Sequence, residues 1–242
     1  MKAQQLSLVI FFVSAIMISC TSTQISSALK AYDDFTSDDS SLSTSDVVNG
    51  LKEALVIGSE KSTQLTSKQD GFFLNPEIKI PFPPEIKEVE VKLRQIGMNK
   101  LVDDFHLSIN RAAEKASAEA KDLFINAIRN MTVEDAWGIL KGEQDAATQY
   151  LRRTTSTDLE NKFRPVINEA LESVNATKYY EEATTIYNKI PLVTKVETDL
   201  TGYVTDRALD GLFIMVAKEE AKIRKDPLAR TTELLQRVFS QQ

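Results

Sequence analysis

One cysteine and one histidine in 242 residues leave little material for site chemistry. An intramolecular disulfide is excluded, and so is a metal cluster built on cysteines. A Ser-His-Asp or Cys-His constellation has to be built on His106 or not at all. Bundle di-metal sites need two Glu-x-x-His pairs, and a second histidine does not exist. The sequence therefore predicts no metal and no cofactor. Glycine is scarce at 8 residues, with no Gly-rich dinucleotide turn among them. Positive charge is short as well. Lys and Arg total 29 against 35 Asp and Glu, a net charge of -6 with a pI near 5.1. Nucleic-acid binding needs clustered Lys and Arg, so no nucleic-acid partner is expected. Beyond the first twenty residues, no segment approaches the roughly 20 apolar residues of a spanning helix. What is present is an ordinary globular composition, 42% hydrophobic and 26% charged. A chain of this length can bury about 70% of its unfolded surface without crosslinks.

The single cysteine is the most informative residue. The chain opens MKAQQLSLVIFFVSAIMISCTST, with Lys2 ahead of an apolar run from Leu6 to Ile18. That run has the length of a signal-peptide h-region and falls short of a membrane span. Ser19 then precedes Cys20, and MISC resembles the lipobox of bacterial lipoproteins, although Met17 stands where leucine is usual. The resemblance implies cleavage before Cys20 and acylation of Cys20. Two or more acyl chains anchor stably where one does not. The expected mature protein is a domain tethered to the membrane through Cys20. By the same resemblance, Thr21 after the cysteine directs it to the outer membrane, facing the periplasm. The reading to be set against this is a plain secretory signal with an incidental cysteine.

Residues 1–19 are thus read as a lipoprotein signal peptide and residues 20–45 as a Ser/Thr/Asp-rich tether with little apolar surface to bury. From Asp46 to the end the hydrophobic periodicity is that of an all-α, bundle-like single domain. Asp46 is placed to cap a first helix bearing Leu51, Leu55 and Gly58. Four X-Pro bonds between Asn75 and Pro84 force an extended segment, a short strand or a polyproline-like strap. Ile86, Val89, Leu93 and Ile96 then form one helix face that stops at Gly97. Leu101, Phe105, Ile109, Ala112 and Ala116 form another. Thr132 and Asp135 read as a capping box. Further helices are predicted near 145–153, 157–174, 176–188, 199–224 and 227–239, with starts marked by Asp145, by Thr157 with Glu160, by Asp199 and by Asp226 before Pro227.

Several residues invite a functional reading, each beside a structural one. Arg111 sits against a small-residue face and can pair with Glu114, as a register-fixing ion pair or as a ligand contact. In ILKGEQDAATQYLRR, Lys141 precedes Gly142, the reverse of a phosphate loop. Gly142 reads as a left-handed helix stop, and Asp145 as the cap of the next helix. Arg152 and Arg153 then form a basic end able to meet an anionic group. Arg164 is a further candidate contact. Tyr179, Tyr180 and Tyr187 share a helix, and Tyr180 is the candidate contact among them. Gly211 inside a strong helix marks a close approach. Asp103–Asp104, Glu181–Glu182 and Glu219–Glu220 read as solvated pairs, with Glu220 and Arg224 as a favourable surface pair.

DGFFLNPEIKIPFPPEIK, NRAAEKA, ILKGEQDAATQYLRR, KFRPVINEAL, TKYYEEATTIYNKIP and the long ALDGLFIMVAKEEAKIRKDPLARTTELLQRVF together resemble the bacterial domain-of-unknown-function family 4197, over about Asp46 to Phe239. The resemblance implies an exported protein, often a lipoprotein, and it implies no activity. The leading expectation is a non-enzymatic envelope module that binds a protein or lipid partner, or serves structurally. The alternative is a hydrolase of unfamiliar type with Asp/Glu acid–base groups near Arg111 or Arg164. An enzyme requires carboxylates, or a carboxylate and an arginine, converging in one cleft. A protein-binding module shows an exposed apolar patch. A lipid binder offers a long apolar cavity.

Overall fold

The computed structural model describes residues 43–189, 195, 199–226, 232, 234, 236 and 238. Cys20, the signal-like run, most of the tether and most of the predicted 227–239 helix lie outside them. The body from Thr44 onward is all-α, with no strand among the described residues.

Helix α1 (Thr44–Ser67) is buried along a face that turns polar halfway. Ser62 donates to the carbonyl of Gly58 at 2.7 Å and Thr66 to that of Ser62 at 2.9 Å. These hydroxyls satisfy themselves on their own helix, so burying them carries little penalty. The Pro-rich strap follows, closed by a 3₁₀ turn (Pro84–Ile86) that begins at Pro84. It forms no strand. Phe72, Ile78, Ile80 and Phe82 are nevertheless all buried, so it is a set of turns strapped over the helices. Asn110 holds it like a backbone partner, accepting from the Ile80 N–H at 2.8 Å and donating to the Ile80 carbonyl at 3.0 Å. Glu114, also buried, accepts from the N–H groups of Phe72 and Phe73, both at 3.1 Å. Gly211 makes room for the strap, since a Cβ there would lie 2.5 Å from the Phe72 ring.

Next come α2 (Lys87–Gln95), α3 (Asn99–Ser117), α4 (Ala120–Arg129) and α5 (Val133–Lys141). The expected stop after α2 is present, with Gly97 at φ +84°. Thr132 and Asp135 form the capping box at α5.

The largest departure from the sequence reading is α6 (Ala146–Glu172), one helix of 27 residues where two were expected. Thr157 starts nothing. Leu151, Thr155, Leu159, Phe163, Ile167 and Leu171 recur every fourth residue and are all buried, a stripe that runs unbroken through the supposed junction. Pro165 lies inside the helix and takes a donor away from the carbonyl of Asn161. Both residues are exposed, so water can replace the lost bond. Burial of the stripe against α3, α4, α5, α7 and α8 outweighs the local signals. Helices α7 (Ala176–Tyr187) and α8 (Leu200–Lys225) complete the described body. Asp199 caps α8 as predicted, accepting from the Gly202 N–H at 2.8 Å.

A candidate binding groove

The bundle has two unlike ends. At one, α5 turns into α6, and three expectations fail together. Gly142 is extended (φ -82°, ψ -174°) and not left-handed. Asp145 makes no side-chain cap. Glu219 and Glu220 are not solvated, being 3% and 6% exposed. Glu219 is paired with Lys222 at 2.5 Å and Lys61 at 3.1 Å, and Glu220 takes the place of the Asp145 cap. Glu220, reaching across from α8, does the capping. Its carboxylate accepts from Ala147 N–H at 3.0 Å, from Thr148 N–H at 2.9 Å and from the Thr148 hydroxyl at 2.8 Å. Arg224 donates to the same carboxylate at 3.0 and 3.1 Å, and to the Ile139 carbonyl at the end of α5 at 2.9 Å. A buried carboxylate that takes up this many donors fixes the start of α6. The corner is architectural.

At the other end, α2 has no buried residue and packs chiefly on α3 and the 3₁₀ turn. Between it and the junction of α6 with α7 lies a groove of about 1000 Å³. Ile86, Val89 and Leu93 form one wall. Leu101, Val102, Phe105 and Ala112 of α3 form the floor. Val174, Ala176, Tyr179 and Tyr180 form the far wall. Leu101, Val174 and Tyr179 are 47%, 52% and 58% exposed, far more than large apolar side chains in a closed core. Val91, Ile96 and Met98, also exposed, lie on α2 or on its short link to α3. The charged residues on the walls are Asp104, Arg111 and Lys115. Asp104 pairs with Lys100 at 2.5 Å and Lys115 with Glu169 at 3.0 Å, all of them exposed. Arg111 is held between Glu114 at 2.5 Å and Asp70 at 2.6 Å, the first of these being the pair expected from the sequence. The Glu114 hydrogen bond, followed by that of Asp70, raises the guanidinium pKa further above its ordinary value.

His106 underlies the strap side of the groove, its ring 5.4 Å from that of Phe82. Burial is the main reason its pKa is lowered, so the imidazole is neutral at pH 7.

Of the candidate contacts read from the sequence, the structure brings Arg111 and Tyr180 to the groove, where Asp104 and Tyr179 also lie, and leaves the candidate arginines of α6 elsewhere. Arg152 pairs with Asp210 at 3.3 Å and lies over the Phe213 ring. Arg153 is 4.0 Å from Asp135. Arg164 bonds Asp199, whose carboxyl is pushed up by burial but lowered more by the Gly202 N–H and by Arg164, for a net lowered pKa. The side chains of Tyr187 and Glu182 lie outside the described residues. Sequence reasoning missed Leu93, Leu101 and Val174 as site residues. The signal for Leu93 was present: a nine-residue helix with an apolar stripe is too short to stand without something covering that stripe.

A family model described as "Protein of unknown function (DUF4197)" matches residues 41–240. The chain belongs to this DUF4197 family. No curated protein and no solved structure matches it. The DUF4197 match takes in both ends of the bundle, the groove and the clamped corner alike, and begins after the segment that carries Cys20.

Among the described residues, no group of three or more His, Cys, Asp or Glu is arranged to hold a metal, and no helix is long and apolar enough to cross a membrane.

Proposed function

We propose that this DUF4197 chain is a non-enzymatic binding module of an envelope lipoprotein, tethered through Cys20, and that its partner sits in the groove. The observation that carries the reading is the groove itself, about 1000 Å³ with mostly apolar walls, whose only charged residues are Asp104, Arg111 and Lys115 beside Ser108, Ser173 and the two tyrosines. Preformed apolar cavities of roughly 300–1,000 Å³ with a few polar groups are the usual form of ligand sites. The hydrolase reading has less support. The carboxylates nearest Arg111 are engaged in holding it and, for Glu114, in pinning the strap. Of the carboxylates around Arg164, Asp199 is occupied as the cap of α8, while burial and then the charge of Glu160 raise the pKa of Asp206.

The tethering half of the proposal rests on the lipobox-like MISC and is tested separately. Metabolic labelling with a fatty acid is expected to label the wild type and not Cys20→Ala, and an unlabelled wild type sinks it. The groove is tested with an environment-sensitive apolar dye. Wild type is expected to bind it, while Leu93→Asp and Leu101→Asp lose at least about tenfold in affinity, the cost of placing a charge in an apolar site. Equal binding by all three removes the groove from the proposal.

A further inference from the structure

The turn that joins α2 to α3, beside the groove, is a surface of its own. Residues 95–101 are all exposed. They include Ile96 at 72% and Met98 at 42%, and Leu101 closes the run. No atom lies within 4 Å of the place a Cβ would take on Gly97, so the turn stands clear of the described body. The other exposed large apolar side chains away from the groove are scattered: Leu74 on the strap, Val133 at the start of α5 and Ile214 on α8. Single residues of that kind are ordinary surface. Ile96, Met98 and Leu101 are gathered on one projecting turn.

The charges are sorted along the same hairpin. From Val91 to Val102 the chain reads VKLRQIGMNKLV, with Lys92, Arg94 and Lys100 and no acid. Glu88, Glu90, Asp103 and Asp104 lie behind the tip, together with Lys87. The hairpin from Lys87 to Asp104 is therefore balanced as a whole and basic only at its end. Arg94 pairs with Glu90 at 3.2 Å and with Asp103 at 3.0 Å, and Lys100 pairs with Asp104 at 2.5 Å. Asp103, Lys100 and Asp104 are each more than half exposed, so water screens these pairs. Lys92 has no ion pair with a described carboxylate. Charge at the tip aids contact with an anionic surface and does not drive it.

A stable protein interface takes about 20–30 residues a side, far more than one turn offers. A bilayer asks for no matching surface. It takes up apolar side chains to a depth of about 5–10 Å while lysines keep their ammonium groups among the headgroups. We propose that the α2–α3 tip inserts into the surface of a lipid bilayer, with Ile96, Met98 and Leu101 below the headgroups and Lys92 and Lys100 among them. So few side chains hold weakly, and the tip therefore orients a domain that is already held at the membrane. That role rests on the tether proposed for Cys20 and not on the groove.

The test uses the full chain reconstituted in vesicles of phosphatidylethanolamine and phosphatidylglycerol with brominated acyl chains, which quench tryptophan fluorescence at short range. The chain has one tryptophan, Trp137 on α5, so the wild type reports the corner end. Met98→Trp combined with Trp137→Phe reports the tip. At saturating lipid the tip tryptophan should be quenched at least about twofold, and Trp137 should not be. Adding Ile96→Glu should abolish the quenching, and Lys92→Glu with Lys100→Glu should raise the lipid needed at least about fivefold. None of these three residues lines the groove, so apolar-dye binding should persist in both variants. A tip tryptophan that stays unquenched at saturating lipid overturns the proposal. So does equal quenching of Trp137, which would be general adsorption, or insertion that survives Ile96→Glu. An unchanged lipid requirement after the charge reversal removes the lysines from the contact. An emission change that needs an added protein, or that follows the chain's own concentration without lipid, assigns the tip to that protein or to a second copy. Acylation of Cys20 is read by mass in the same sample. Its absence counts against the tether alone, because at saturating lipid the tip is reported with or without an anchor.

Discussion

The two ends of the bundle handle their exposed groups in opposite ways. At the clamped corner, buried Glu220 and part-buried Arg224 bond to each other and to backbone. Glu220 satisfies the start of α6, and Arg224 joins it to the end of α5. At the groove end, Asp104 and Lys115 stay on the rim, Glu114 is buried behind Arg111, and large apolar side chains face solvent. The corner uses polar groups to fix backbone, which is a structural task. The groove leaves apolar surface uncovered, which is costly unless something comes to cover it. The groove lies far from the corner along α6, since Ala147 and Ala170 are separated by about 35 Å of helix. The first turns of α1 lie at the clamped end, where Leu51 and Ala54 face Ala147 and Ile223.

If this contrast is right, stability should be concentrated at the corner and binding at the groove. The largest effect is expected from Glu220→Leu. It removes the acceptor of two backbone N–H groups and one hydroxyl and leaves Arg224 buried without its carboxylate. Breaking a buried pair on one side costs about 3–5 kcal/mol. Urea denaturation reads this directly, and a loss under about 1 kcal/mol would show that Glu220 is dispensable to the corner. The double change Glu220→Leu with Arg224→Met should recover part of the loss, because no orphaned charge then remains.

This corner also shows where sequence reading stops. The helices around it were legible, because period and caps are local: the Thr132–Asp135 box, the Asp199 cap and the stop at Gly97 all stand as read. The identity of the cap on α6 was not legible. Glu220 lies 73 residues from Ala147 in sequence, and nothing local separates a glutamate bound for a helix terminus from one bound for water. Asp145 carried the local signal and makes no side-chain cap. The fusion of two predicted helices into α6 is the same lesson. Thr157 with Glu160 argued locally for a new start, while the fourfold-spaced stripe, buried by five neighbours, argued globally against one. The groove was half legible. Arg111 and Tyr180 drew attention for their chemistry, whereas Leu93 and Leu101 read as core and only the packing left them uncovered.

A smaller effect separates the ends by pH. The His106 imidazole is held neutral in the folded protein, chiefly by burial, so its folded pKa lies below the unfolded value of about 6.5. The unfolded chain therefore binds the proton first. Above about 6.5 the contribution of neutral His106 is complete, and it is lost as pH falls from there through the folded value. The groups around the ring are mixed: Glu90 and Asp103 favour the charged form, Lys79 and Arg94 oppose it. Protonation should strain the Phe82 side of the groove and leave the corner untouched. Hydrogen exchange measured across this range should show faster opening of the strap and α3 at the acid end, with α5 and the start of α6 unchanged. His106→Leu should remove that difference. An acid-induced loss centred on α5 would contradict it.

Arg152 and Arg153, which the sequence marked as a basic end for an anion, should matter less still. Their ion pairs with Asp210 and Asp135 are on the surface, and Arg152 adds a contact over the Phe213 ring 4.5 Å away. Replacing both by Ala should cost about 1 kcal/mol or less, leaving the fold intact. Substantial unfolding would show that these arginines are part of the framework that the corner anchors.

The smallest stability effect, and the sharpest test of the contrast, is expected at the groove. Leu101 is 47% exposed on the first turn of α3. In an ordinary core, replacing leucine by aspartate is ruinous, because a charge is buried without a partner. Here the side chain already meets water, and an acid in the first turn of a helix interacts favourably with its dipole. Leu101→Asp should therefore unfold within about 0.5 kcal/mol of wild type, as surface substitutions do. The same substitution should lower apolar-dye affinity at least about tenfold. Binding lost with stability kept marks an apolar residue retained for a partner. Binding and stability lost together would make Leu101 ordinary core, and the two ends of the bundle would then differ in shape alone.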